Sequence, residues 1–116
     1  MKITIEIEPL PQSRPRFSGG RCYEPARITN YKAEIGYKAR QAMKGEKPFS
    51  SALKLVCRFW RKYKPTSRRY GDADNLLKSV MDGLNKICWK DDAQIISLTA
   101  EKLQGTPRLE IEILPE

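Results

Sequence analysis

Ile3, Ile5 and Ile7 alternate with Thr4, Glu6 and Glu8, which predicts a strand over residues 2–8 with one buried face. Pro9 and Pro11 end it. The alternation returns over residues 52–61, with Leu53, Leu55, Cys57 and Phe59 on one side and Lys54, Val56, Arg58 and Trp60 on the other, a second strand. Two more are predicted at Ile95–Lys102 and Arg108–Leu114, joined around Gln104-Gly105-Thr106 as a hairpin. Elsewhere the period lengthens. Tyr31, Ile35, Ala39, Ala42 and Met43 predict a helix capped by Thr29 or Asn30 and stopped by Gly45 and Pro48. From Asp74, at about 100° per residue, Leu76, Leu77, Val80, Met81, Leu84, Ile87 and Cys88 form an apolar face, with Asp74, Lys78, Asp82 and Asn85 opposite.

Between the first strand and first helix, Leu10–Arg27 contains Pro11, Pro15, Gly19, Gly20 and Pro25. It predicts a long irregular loop, and long loops in compact domains are usually functional. The order strand, loop, helix, strand, helix, strand, strand contains no repeat or linker. It predicts an α/β (α+β) fold, a two-layer sandwich in which the helices pack on a small mixed sheet. At 116 residues, one domain spanning 1–116 is expected.

Charge narrows the partners. Lys and Arg number 22 against 14 Asp and Glu, a net charge of +8 and a pI near 9.6, which suits a polyanion but does not separate nucleic acid from an anionic surface. No apolar run approaches the roughly 18 residues of a membrane span, and the N-terminus has no signal-peptide core, so a cytoplasmic protein is expected. Cys22, Cys57 and Cys88 are odd in number and widely spaced, and there is no His. Structural zinc and a disulfide framework are therefore not expected. Without imidazole, the commonest general base is absent too, leaving metal-bound water as the leading nucleophile if the chain is an enzyme.

All five Asp residues, Asp72, Asp74, Asp82, Asp91 and Asp92, fall within one stretch of 21 residues. Clustered carboxylates repel, and a hard cation such as Mg²⁺ offsets that repulsion. Asp72 and Asp74 are two apart at the entry to a helix and can point the same way. Lys78 lies one turn beyond Asp74 and one before Asp82, while Asp91-Asp92 can return a further carboxylate. Each feature also has a plain structural reading. Asp74 can be a helix cap worth about 1 kcal/mol, Asp74-Lys78-Asp82 a solvated i,i+4 ladder, and Asp91-Asp92 a polar turn.

The run Asp72-Ala73-Asp74-Asn75-Leu76-Leu77-Lys78-Ser79-Val80-Met81-Asp82-Gly83-Leu84, followed by Asp91-Asp92-Ala93-Gln94, resembles the RusA family of Holliday junction resolvases. The resemblance extends to element order and, more weakly, to the basic loop Pro11-Gln12-Ser13-Arg14-Pro15-Arg16-Phe17. It implies a Mg²⁺-dependent homodimer, with Mn²⁺ as a substitute, that resolves four-way DNA junctions by paired nicks in recombination and repair. It further implies Asp72, Asp74 and Asp92 as catalytic metal-binding carboxylates and Lys78 as a catalytic residue. A one-residue shift in the Asp pair would make Asp91 the third ligand.

Arg14 to Arg69 contains 16 basic and 3 acidic residues. Arg14, Arg16, Arg21, Arg27, Arg68 and Arg69 are expected to include most of the phosphate contacts, a reading that rests on the loop as a whole, since each alone reads first as a solvated charge. Phe17 and Tyr23 can stack on opened bases or pack back on the core. The expected partners are branched DNA and a second copy of the chain, with no membrane and no small-molecule cofactor, in the cytoplasm with the nucleoid. A noncatalytic nucleic-acid-binding module and a less specific branched-DNA or flap nuclease are the alternatives. The dimer interface is not identified; the Val56 and Trp60 side of the second strand is one candidate, unless a helix covers it.

Overall fold

The computed structural model describes residues 1–12 and 16–116, without the side chains of residues 16–18 and 22. In chain order the elements are β1 (Lys2–Ile5), β2 (Arg16–Ser18), β3 (Arg21–Tyr23), α1 (Ala26–Met43), β4 (Leu53–Arg61), α2 (Ala73–Leu84), a 3-10 turn (Asp92–Gln94), β5 (Ile95–Gln104) and β6 (Arg108–Pro115). Four strands form a mixed sheet in the order β1-β6-β4-β5, with β4 parallel to β5 and β6 antiparallel to both β1 and β4. The α+β two-layer architecture predicted from the pattern is the observed one.

The pleat sorts the side chains. Ile3 and Ile5, then Leu53, Leu55, Cys57 and Phe59, then Leu109, Ile111 and Ile113 share the inner face and are buried. Both helices pack there through Ile28, Tyr31, Ile35 and Ala39 of α1 and Leu76, Val80 and Leu84 of α2. Each fully buried Leu, Ile or Phe contributes about 1.5–3 kcal/mol. Two glycines set the helix spacing. A Cβ on Gly83 would lie 3.0 Å from Ile35 Cγ2 and 3.1 Å from the Lys32 carbonyl, and one on Gly36 would lie 3.3 Å from the Gly83 carbonyl.

Four expectations are corrected. The segment 10–27 is not wholly irregular, because Gly19 and Gly20, at φ +58° and +76°, turn β2 back onto β3. α1 starts at Ala26 behind Pro25 rather than after Thr29, whose hydroxyl instead donates to Glu24 Oε2 at 2.8 Å. α2 starts after Asp72, not at Asp74, and ends at Leu84. Lys86 takes φ +71° there, so Ile87 and Cys88 belong to a turn beyond the helix. Finally, β5 and β6 are not a hairpin. They flank β4, and their connection crosses its end, where Gly105 N donates to the Arg61 carbonyl at 2.9 Å. Alternation sets which face a strand buries but carries no information about its neighbour.

The outer sheet face carries no helix among the described residues. Arg58 there lies within 4 Å of Glu101, Glu110 and Glu112, Arg108 pairs with Glu110 at 3.1 Å, and the Arg108 guanidinium stacks 4.0 Å from the Trp60 ring. Exposed pairs of this kind contribute about 0–1 kcal/mol each, but they neutralise this face.

Candidate active site

The approach to α2 is fixed from below. Tyr70 is fully buried, and its hydroxyl lies 2.6 Å from the Phe59 and Leu103 carbonyls and accepts from Leu103 N at 3.1 Å. Arg61, itself buried, donates to the Tyr70 carbonyl at 2.7 Å and to Glu8 at 2.9 Å. Gly71 then takes φ +96° against the Pro11 ring, and its carbonyl accepts from Lys102 Nζ at 2.9 Å. The chain reaches Asp72 in an extended conformation, and its carboxylate makes no capping hydrogen bond. Asp74 is therefore a first-turn residue, not the cap, and its Oδ1 accepts from Asn75 N at 2.9 Å.

Along the exposed side of α2 runs a cavity of about 210 Å³ lined by Asp74, Leu77, Lys78, Met81, Asp82, Asp92 and Leu98. Asp92 enters from the turn before β5, where the indole N–H of fully buried Trp89 donates to its Oδ1 at 2.7 Å. Asp91 has a different task. Its side chain accepts from Ala93 N at 2.8 Å, and the Gln94 side chain accepts from Asp91 N at 3.1 Å, a capping box on the 3-10 turn. Lys78 makes no hydrogen bond or ion pair with any described residue, so its ammonium stands free beside the carboxylates.

The i,i+4 ladder does not form. Asp82 pairs instead with Lys32 of α1 at 3.0 Å, and Lys32 also bonds Glu24, which accepts from Gln12 and Thr29 as well. Partial burial is the largest single influence on the Lys32 ammonium and lowers its pKa, but hydrogen bonds to Glu24 and Asp82 outweigh it and leave the pKa above the ordinary lysine value. Hydrogen bonds from Lys32 and Thr29 hold the Glu24 carboxyl below its ordinary range. Neither Lys32 nor Glu24 was singled out from the sequence, since nothing local marks a contact 50 residues long.

Asp74 and Asp92 offer hard oxygen donors around one space, which suits Mg²⁺, an ion usually held by one or two carboxylates with water and phosphate completing its shell. Asp72 does not line that cavity, and among the described residues no three His, Cys, Asp or Glu side chains gather closely enough to hold a metal. Of the expected phosphate-binding residues, Arg14 lies outside the described residues, as do the side chains of Arg16 and Phe17. Arg21, Arg27, Arg68 and Arg69 are exposed and unpaired among them. Tyr23 is 46% exposed rather than packed on the core. Cys57 and Cys88 are buried free thiols. Among the described residues no helix is long and apolar enough to cross a membrane.

A mixed sheet backed by two helices, one bearing an exposed Asp and Lys row beside a further Asp, defines a compact α+β protein built for acid-lined surface chemistry. The chain belongs to the RusA endodeoxyribonuclease family, whose model matches residues 6–114, and it is accordingly a nuclease. It is 31% identical to the crossover junction endodeoxyribonuclease RusA of Aquifex aeolicus (strain VF5), over 99% of this chain and 91% of the relative. It is also 27% identical to the uncharacterized protein YqaN of Bacillus subtilis (strain 168), over 97% of this chain and 94% of that protein.

Proposed function

We propose that the protein, as a single domain, resolves four-way DNA junctions by paired, metal-dependent nicks in recombination and repair. The observation that carries this reading is the α2 cavity, where Asp74, the unpaired Lys78 and Asp92 come together within the family motif. Asp74 and Asp92 would hold Mg²⁺, or Mn²⁺ in its place, and the uncommitted carboxylate of Asp72, which lies outside the cavity lining, would become the third ligand by turning towards them. When bound, the ion would activate water and neutralise phosphate charge. Lys78 stabilises the developing negative charge on the phosphate through its free ammonium. Trp89 holds Asp92 in orientation.

Arg21, Arg27, Arg68 and Arg69, with Arg14 and Arg16, bind the phosphate backbone, and the exposed Tyr23 ring offers a stacking surface for a base opened at the branch. The outer sheet face, with Arg58 and Arg108 already paired to glutamates, is the poorer surface for a polyanion. Two symmetric nicks call for two sites, so the protein acts as a C2 homodimer, in the cytoplasm with the nucleoid. The half-buried Val56 and Trp60 face and the exposed Ile96 of β5 are apolar surfaces available for pairing away from the cavity.

The test uses four-way, three-way, flap and linear DNA with Mg²⁺ and then with chelator. Chelator-sensitive paired nicks are expected on the four-way junction, abolished by Asp74→Asn and Lys78→Ala while junction binding survives. Equal cutting of flaps and junctions would refute the junction specificity, and full cleavage by Asp74→Asn would refute the site. Excess Asp74→Asn subunits mixed with active ones should leave single nicks; completed resolution by a monomer in one binding event would exclude the dimer.

A further inference from the structure

The Lys32 ammonium joins three parts of the molecule that the sequence keeps apart. It lies on α1 with its side chain 17% exposed, and it touches Glu24, at the foot of the β2-β3 hairpin, and Asp82, on the wall of the α2 cavity. The close passage of Gly36 against Gly83 sets this geometry, since a Cβ at Gly83 would press on Ile35 and on the carbonyl of Lys32 itself. Glu24 is in turn held by Gln12 and by the Thr29 hydroxyl. Asp82 cannot share an ion with Asp74 along the helix, because eight residues place them about 12 Å apart. Left without a counter-charge, its carboxylate would face the same phosphates that Lys78 faces.

We propose that Lys32 is a positioning residue, which cancels the charge of Asp82 at the cavity and ties the basic hairpin to the helix that carries Asp74 and Lys78. The inference rests on the reading of that cavity as the DNA-cleaving site. The hairpin carries Arg16 and Arg21, so the tie fixes substrate-binding cations relative to the cutting residues. One ammonium between two carboxylates performs both tasks, and only a cation can.

The test measures junction binding in chelator and amide hydrogen exchange without DNA. Lys32→Met should bind a four-way junction roughly fivefold more weakly at low salt, the effect of about one uncompensated charge near phosphate. The deficit should shrink at high salt, be largely offset when Asp82→Asn is added, which returns the three-residue cluster to its original net charge, and be restored by Lys32→Arg. Amides of residues 16–24 should exchange faster in Lys32→Met while those of β4 stay protected. A deficit undiminished by Asp82→Asn, or hairpin exchange that does not change, overturns the proposal. Should Lys32→Met not fold, Glu24→Gln serves for the second arm: faster hairpin exchange supports the tie and unchanged exchange overturns it. The exchange arm involves no DNA, so its failure counts against the tie alone, whereas absence of junction cleavage by the unaltered protein counts against the catalytic reading alone.

Discussion

Gly71→Ala is the sharpest single test of how the fold delivers Asp72 and α2. The residue sits at φ +96°, and an added Cβ would lie 2.8 Å from Pro11 Cγ and 3.0 Å from Pro11 Cβ. An L side chain in that backbone region costs about 1–3 kcal/mol, and overpacking of a closed contact costs a further 1–3 kcal/mol or so. Together they amount to roughly 2–6 kcal/mol, against a total stability for 116 residues on the order of 6–17 kcal/mol. The variant should therefore still fold at 25 °C. At about 4 °C per kcal/mol for a chain of this size, its Tm should drop by roughly 8–24 °C. Pro11 can yield to the added Cβ, but the backbone strain is relieved by moving the Gly71 peptide, whose carbonyl binds Lys102, and that shift passes to Asp72. A displacement near 1 Å is enough to cost up to about a hundredfold in rate, so single-turnover nicking at 20 °C should fall at least tenfold or so. Gly105→Ala is the control. Its φ is ordinary and its nearest contact is Trp60 Cδ1 at 3.3 Å, so Tm should move by a few degrees at most, about 1 kcal/mol. A Gly71→Ala protein with unaltered melting and full nicking would refute the reasoning.

The two adjacent aspartates should separate cleanly. Asp91→Ala removes the capping box and should cost about 1 kcal/mol in urea denaturation while nicking persists, whereas Asp92→Asn should abolish nicking at nearly unchanged stability; the reverse pattern would exchange their roles. Tyr70→Phe strips hydrogen bonds from the Phe59 and Leu103 backbone and should cost about 1–3 kcal/mol, read as a lower urea midpoint, with no change counting against the anchor. Burial pushes the Cys57 thiol up to about 12 and the Cys88 thiol up to about 11, from 9.0. The folded state thus retains protons that the unfolded state releases, so this stability is complete below pH 9 and declines as pH rises towards 12. Cys57 alone should cost about 2 kcal/mol by pH 10.5, and a urea midpoint equal at pH 8 and 10.5 would contradict that.

Strands β1, β4, β5 and β6 were legible because one face of each is buried or paired beside a buried strand, and a half-buried strand must alternate. The burial of Leu53, Leu55, Cys57 and Phe59 follows from spacing alone. Pairing did not follow. β4 is the strand both β5 and β6 need, because it offers an apolar inner side and two free edges, and nothing in the Gln104-Gly105-Thr106 turn says whether the chain folds back or crosses an intervening strand. The β2-β3 hairpin was missed for a related reason. Each strand is three residues long, too short to show a period, and the prolines around it point to an irregular loop. Gly19-Gly20 was its one local sign, since paired glycines supply the positive φ of a tight turn.

The site divides along the same line between local and distant information. Asp74, Lys78 and Asp82 lie on one exposed side of α2 because 3.6-residue spacing requires it, and the position of Asp92 at the cavity follows from Trp89 three residues earlier, whose buried indole needs an acceptor. What spacing could not assign was which carboxylate Lys78 serves. On an isolated helix Lys78 would pair with Asp74 or Asp82 and be lost as a free cation. Tertiary packing removes one competitor: the Gly36-Gly83 approach presents Lys32 to Asp82, while Asp74 Oδ1 turns to the Asn75 amide. An exposed ammonium one turn from each of two carboxylates would be drawn into a pair with either, so it stays free only while both are engaged elsewhere. The unpaired state of Lys78 among the described residues therefore depends on a residue of α1 that the α2 motif does not contain.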